Sequence, residues 1–111
     1  MSSVFGLGLF QLESIIQARP NYCFFDIRLR PQIVGIPAVQ AVLDQARVSR
    51  PEVLMTSLLQ QKTGKDDPII LLCEDGRLSI ATADQLGREG FTQVYIVDGG
   101  LDGLLREASI G

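Results

Sequence analysis

The chain has no histidine and no tryptophan, and of its ten cationic residues only two are lysines. Without histidine there is no imidazole base for a Ser-His-Asp or Cys-His arrangement, and no imidazole ligand for a metal. The two cysteines, Cys23 and Cys73, stand fifty positions apart, too few and too far separated for a zinc site or a secreted disulfide framework. The net charge is -3, with no basic run, so a phosphate backbone or an anionic membrane surface is a poor partner. No apolar stretch approaches the roughly 20 residues that span a bilayer. Met1-Ser2-Ser3-Val4 lacks the basic start of a secretory signal, so a reducing cytoplasm is the expected location and Cys73 a free thiol there.

What remains is sufficient for one globular domain over residues 1–111. Apolar residues make up 46% of the chain, enough to bury a core and to argue against disorder.

Glycine and proline punctuate the pattern. Gly6 and Gly8 loosen the start. Leu9, Leu12, Ile15 and Ile16 recur near helical spacing, which predicts a helix over Phe10 to Ala18, ended by Arg19-Pro20-Asn21. The apolar, aromatic run Tyr22 to Ile27 predicts a buried strand that carries Asp26 and Arg28 at its end. Val39, Val42, Leu43 and Ala46 predict a helix over Pro37 to Gln45, with a short strand at Arg47-Val48-Ser49. Ser49 and Glu52 have capping-box spacing before a helix over Pro51 to Gln61.

Ile69-Ile70-Leu71-Leu72 is the clearest strand, and it runs directly into Cys73. A helix follows the Cys73–Ser79 stretch, with Ile80, Ala83 and Leu86 on one face, and Gly90 ends it. Val94 to Val97 is another strand. Asp98-Gly99-Gly100 reads as a turn needing positive φ rather than as a phosphate loop, and a helix with a Leu101, Leu104, Leu105, Ala108 stripe follows.

Strands alternating with helices imply an α/β fold, a parallel sheet with helices on both faces. Ligands bind such sheets at the carboxyl ends of the strands, where Cys73 lies. A short loop between strand and helix turns backbone N–H groups inward as a nest, and the helix directs its positive end at the same point. Both effects favour thiolate, the nucleophilic form of sulfur. Gly76 permits the tight turn, Ser79 is placed to cap the helix or donate to the sulfur, and Arg77 adds a positive charge that Glu74 and Asp75 oppose from the solvent side. A phosphatase would need arginine six places after the cysteine to grip phosphoryl oxygens; Ser79 stands there, and Arg77 is two short.

Cys73-Glu74-Asp75-Gly76-Arg77-Leu78-Ser79 resembles the active-site loop of the rhodanese-like family, commonly Cys-x-x-Gly-x-Arg-Ser. Asp26-Ile27-Arg28 resembles that family's Asp-x-Arg. Gly90-Phe91-Thr92-Gln93-Val94-Tyr95-Ile96-Val97-Asp98-Gly99-Gly100-Leu101 matches its closing segment. The resemblance implies a five-stranded, mainly parallel sheet flanked by helices. It implies sulfur transfer through a persulfide on Cys73, with the loop from Glu74 to Ser79 holding the terminal sulfur and neither metal nor cofactor required. A small sulfur donor or a persulfide-bearing protein would load Cys73, and a thiol or other nucleophile would accept the sulfur. Asp26 and Arg28 are expected either to support the loop or to form a mutual structural pair, rather than to take part in the chemistry.

Three departures qualify the resemblance. Leu78 replaces the usual arginine, and Arg77 substitutes for it only if its side chain turns inward. The family's Gly-His-Ile-Pro-Gly-Ala segment is missing; either Gly35-Ile36-Pro37-Ala38 echoes it, or the equivalent strand is Arg47-Val48-Ser49 after a small insertion. Finally, Glu74 and Asp75 would repel the thiosulfate dianion, which points to a neutral or protein-borne persulfide as donor. The competing reading is a catalytically weak rhodanese-like binding or regulatory module. Cys23, among aromatic residues, is expected in the core; a resolving role would require it within disulfide reach of Cys73.

Overall fold

Four short runs that carry apolar residues become strands covered by neighbouring helices, and a fifth, Arg47-Val48, is an exposed edge strand held by its pairing with Phe25-Asp26. In the computed structural model, which describes residues 5–18 and 22–110, the elements follow in the order β1 (Phe5–Leu7), α1 (Leu9–Ala18), β2 (Cys23–Asp26), α2 (Pro37–Leu43), β3 (Arg47–Val48), α3 (Pro51–Gln60), β4 (Ile69–Leu72), α4 (Arg77–Arg88), β5 (Val94–Val97) and α5 (Gly100–Ile110). The strands form one sheet in the order β1-β5-β4-β2-β3, and every pairing is parallel.

Strand β4 is the central strand, and all four of its residues are buried. Its side chains alternate between two cores, as the period of two requires. Ile69, Leu71 and then Cys73 join Leu54 and Leu58 of α3 and Ala83 and Leu86 of α4. Ile70 and Leu72 join Leu12 of α1, Val39, Val42 and Leu43 of α2, and Leu104 of α5. The sheet is thus covered on both faces.

The face each helix takes follows from the handedness of parallel crossovers. Moving from β1 to β2 to β3 the chain steps one way across the sheet, and α1 and α2 lie on one side. Moving from β3 to β4 to β5 it steps the other way, and α3 and α4 lie on the opposite side. The connections leaving β2 and β4, which are neighbours, therefore diverge to opposite faces. The crevice between their carboxyl ends is the topological switch point of the sheet, where such folds bind ligands.

Several sequence expectations need correction. Gly6 and Gly8 do not leave the start loose: Phe5–Leu7 is a strand paired with Tyr95–Val97, and the Asp98 N–H donates to the Leu7 carbonyl at 2.8 Å. The capping box at Ser49 and Glu52 does not form. Arg50 is the N-cap of α3 without a side-chain cap, and the Ser49 hydroxyl donates to the Arg50 carbonyl. Pro51 in the first turn removes one N–H that would need capping. Helix α2 stops at Leu43, and Asp44-Gln45 belong to a turn. Ile80 is not on the buried face of α4, being 52% exposed; that face is Ser79, Thr82, Ala83 and Leu86. Of the two alignments of the middle segment, Arg47-Val48 is the one that forms a strand, beside Phe25-Asp26. Met1–Val4 and the expected helix stop at Arg19-Pro20-Asn21 lie outside the described residues. Among the described residues no helix is long and apolar enough to cross a membrane.

Candidate active site

Cys73 directly follows β4, is 1% exposed, and begins a four-residue connection to α4. Its Sγ accepts hydrogen bonds from the backbone N–H groups of Gly76 at 3.1 Å and Ser79 at 3.3 Å. Gly76 is the N-cap of α4 in the left-handed region, at φ 94°, a conformation L side chains rarely adopt. One donor thus comes from the glycine turn and the other from the first turn of the helix, whose unsatisfied amides carry the positive end of its dipole. This geometry stabilises negative charge on sulfur.

The loop's carbonyls are held the other way. The Leu101 N–H donates to the Cys73 carbonyl at 2.8 Å, and the Asp102 N–H donates to the Glu74 carbonyl at 3.0 Å. Both donors belong to the first turn of α5, so the loop is gripped by one helix N-terminus while its own amides face the sulfur. The grip requires close approach. A Cβ on Gly100 would collide with the Cys73 carbonyl oxygen and come within 2.7 Å of the Gly76 nitrogen and 2.8 Å of the Asp75 nitrogen. Gly100 also has φ 62°. The positive φ expected at Gly99-Gly100 is present, and the turn also brings α5 against the cysteine loop, a tertiary contact that the two glycines alone do not reveal.

Asp26 and Arg28 flank the site from β2. Their side chains are 3% and 6% exposed and form a bidentate pair, with Nη2 donating to Oδ2 at 2.8 Å and Nε donating to Oδ1 at 2.9 Å. The Arg28 backbone N–H donates to the same carboxylate at 3.1 Å, and Nη1 donates to the Gln32 carbonyl at 3.3 Å. The guanidinium is consumed in fixing the segment that follows β2.

Glu74 does not simply face solvent. It is half-buried, and its Oε2 accepts from the Leu29 N–H at 3.0 Å, tying the cysteine loop to the segment after β2. Asp75 is exposed and accepts from the Arg77 N–H. Arg77 turns outward, with its side chain 91% exposed and 3.6 Å from Asp75, and Leu78 packs against the core cluster beneath α4. Neither position presents a cation to the sulfur. The Ser79 hydroxyl neither caps α4 nor donates to Sγ; its backbone N–H makes the sulfur contact, and Oγ has no partner among the described residues.

Cys23 is half-buried and free. It opens β2, opposite Ile69 in the register, whereas Cys73 lies beyond the other end of β4. Four residues of strand separate their levels by about 13 Å, more than twice the usual Cα separation of a disulfide. The two thiols do not form a resolving pair. Burial, and secondarily Asp67, pushes the Cys23 thiol up, while Arg47 opposes.

The fold and this loop define a class. The chain belongs to the rhodanese-like domain family, which matches residues 11–107. It is 26% identical to the Thiosulfate sulfurtransferase GlpE of Tolumonas auensis over 103 residues, 93% of this chain and 90% of that protein. Among solved structures it resembles a rhodanese-like domain protein from Staphylococcus aureus, with TM-score 0.65 and 16% identity over 89% of each chain. It also resembles a thiosulfate sulfurtransferase from Pseudomonas aeruginosa, with TM-score 0.67 and 20% identity. That match covers 96% of this chain and 19% of the other.

Proposed function

We propose that this domain is a sulfurtransferase that carries a sulfane sulfur as a persulfide on Cys73 and delivers it to a thiol or other nucleophilic acceptor. The observation that carries this reading is the pair of backbone N–H donors, Gly76 and Ser79, directed at Sγ from a loop whose carbonyls are tied away to α5.

The chemistry is two displacements at divalent sulfur. The Cys73 thiolate attacks the outer sulfur of the donor; the new Sγ–S bond forms as the donor's S–S bond breaks, and the electron pair leaves on the donor thiolate. An acceptor thiolate then attacks the terminal sulfur, and Sγ takes back the pair. No net oxidation occurs and no cofactor is consumed. At each stage negative charge sits on sulfur, where preorganised amide donors are most effective.

The donor we assign is a neutral small persulfide or a persulfide-bearing protein rather than thiosulfate. Glu74 and Asp75 stand in the loop, and Arg77, the cation nearest them in the chain, points outward to Asp75. A dianion entering there meets repulsion that no inward arginine offsets. The proposed setting is the cytoplasm, where thiol donors and acceptors are plentiful. The reading is tested by steady-state transfer from cysteamine persulfide, which carries no net charge, to a thiol acceptor, comparing wild type with Cys73→Ser. Transfer abolished in the variant supports it. Equal turnover by the two proteins would refute it.

A further inference from the structure

Three large apolar side chains stand exposed beyond the carboxyl ends of β2 and β3: Leu29 at 78%, Ile33 at 89% and Val48 at 63%. Ile33 and Val48 share a hollow of about 320 Å³ with Pro31 and Ala46. Leu29 borders a second hollow, of about 280 Å³, with Arg50 and Pro51, and Arg28 lines both. The face adjoins the reactive residue. Register places Leu72, Asp26 and Val48 at one level across β4, β2 and β3. Cys73 follows Leu72, so Val48 stands two strand spacings away, roughly 10 Å. Leu29 is joined to the cysteine loop directly, through its N–H and the Glu74 carboxylate.

The backbone beneath these side chains is anchored. Besides the Leu29 contact, Arg28 Nη1 donates to the Gln32 carbonyl, and the Val34 N–H donates to Gln40 Oε1 at 2.7 Å. Leu29 and Ile33 are thus held outward by a tied segment. Apolar groups presented in fixed positions lose little freedom when covered, which suits a docking surface.

Charge identifies what covers them. Residues 27–50 carry four of the chain's ten cations but one, Asp44, of its thirteen acidic residues. Arg28 is spent on Asp26, and Asp44 accepts from Gln40 Nε2. Arg30 and Arg50 are exposed and make no ion pair among the described residues. Glu52 lines the second hollow beside Arg50. A basic, apolar face on a chain of net charge -3 fits an acidic polypeptide with apolar anchors. An anionic membrane fits less well, because the rest of the chain would be repelled and the face is hollowed rather than flat.

We propose that the face formed by Leu29, Ile33 and Val48, flanked by Arg30 and Arg50, docks the protein thiol that takes the sulfane sulfur from Cys73, gripping an acidic segment that carries apolar side chains. This inference rests on the persulfide reading above and names the class of its acceptor. The displacement is unchanged: the acceptor thiolate attacks the terminal sulfur, the new S–S bond forms as the Sγ–S bond breaks, and Sγ takes the electron pair.

The test preloads the full chain with cysteamine persulfide and follows loss of the sulfur mass to three acceptors at low ionic strength. They are a cysteine peptide of alternating Glu and Leu, its Lys and Leu counterpart, and 2-mercaptoethanol. Ratios of variant to wild type cancel the intrinsic reactivity of each thiol. Arg30→Glu with Arg50→Glu should slow transfer to the Glu-Leu peptide by roughly tenfold or more, and should not slow transfer to the Lys-Leu peptide or to 2-mercaptoethanol. Ile33→Ser with Val48→Thr should slow both peptides and leave 2-mercaptoethanol unchanged. Equal rates for wild type and both variants with the Glu-Leu peptide would overturn the inference while the persulfide reading stands. So would a dimer in sedimentation that the charge reversal dissociates, since a second copy would then cover the face. Cosedimentation with phosphatidylserine vesicles, lost in the same variant, would assign the face to a membrane and also overturn it. If wild type does not load, the underlying reading fails.

Discussion

The backbone N–H of Leu101 donates to the carbonyl oxygen of Cys73 at 2.8 Å, so the first turn of α5 fixes Cys73 through its backbone. That contact exists because Gly100, with φ 62°, lets α5 begin against the loop. Gly100→Ala would force a Cβ into the Cys73 carbonyl and the Asp75 and Gly76 nitrogens. We expect about 1–3 kcal/mol of destabilisation from the backbone conformation, with additional cost from displacing the loop. Sulfur transfer should fall at least tenfold even where the chain remains folded, because the loop amides lose their aim. Urea unfolding and single-turnover loading separate the two effects.

The Asp26–Arg28 pair predicts a stability effect larger than any surface ion pair would give. Asp26→Ala leaves a guanidinium buried without its carboxylate, and a loss of about 3–5 kcal/mol is expected. Arg28→Lys should recover only part of the stability, because an ammonium cannot reproduce the bidentate fork. An apolar double replacement, Asp26→Leu with Arg28→Met, should be more stable than either single loss. Chemical denaturation of the four proteins measures this.

Charge at the loop predicts donor preference. Glu74→Gln retains an acceptor for the Leu29 N–H while removing charge, and Asp75→Asn removes the second carboxylate. Together they should raise kcat/KM for thiosulfate by roughly threefold to tenfold at low ionic strength, with little change for a neutral persulfide. The gain should shrink as salt is added. An unchanged thiosulfate preference would remove the acidic loop from the account.

Cys23 predicts a pH dependence unconnected with catalysis. Burial holds its thiol above the ordinary value of 9.0. The folded state therefore keeps its proton where the unfolded chain begins to lose it. The contribution is fully present below pH 9.0 and is lost as pH rises through the folded-state value. Wild type should lose stability faster than Cys23→Ala above pH 9.0, and Cys23 should alkylate slowly near neutral pH. Denaturation at matched alkaline pH and peptide mapping after alkylation check both.

The strands and most helices were legible because burial leaves a periodic trace. Ile69 to Leu72 is apolar at every position because both faces of β4 are covered. Phe5–Leu7 was not legible, since two glycines near a three-residue edge strand carry no alternation to read. Ile80 misled because helical spacing does not say which of two adjacent stripes faces the sheet. At the site, the cysteine at a strand end was visible by its position. The contacts that orient it come from backbone amides of Gly76, Ser79, Leu101 and Asp102, and backbone donors leave no trace in side-chain identity beyond the glycines that admit them. The direction of Arg77 depended on Asp75 holding it outward, a tertiary outcome that sequence spacing does not decide.

The most direct test of the central claim is intact-protein mass after exposure to cysteamine persulfide, whose ammonium offsets its persulfide anion, and, separately, to thiosulfate, for wild type and Cys73→Ser. The account predicts a gain of one sulfur mass by wild type, greater with the persulfide than with thiosulfate, reversed by reductant and absent in Cys73→Ser. Wild type that gains no sulfur from either donor, while Cys73 still reacts with an alkylating agent, would contradict it and leave a rhodanese-like binding module in its place.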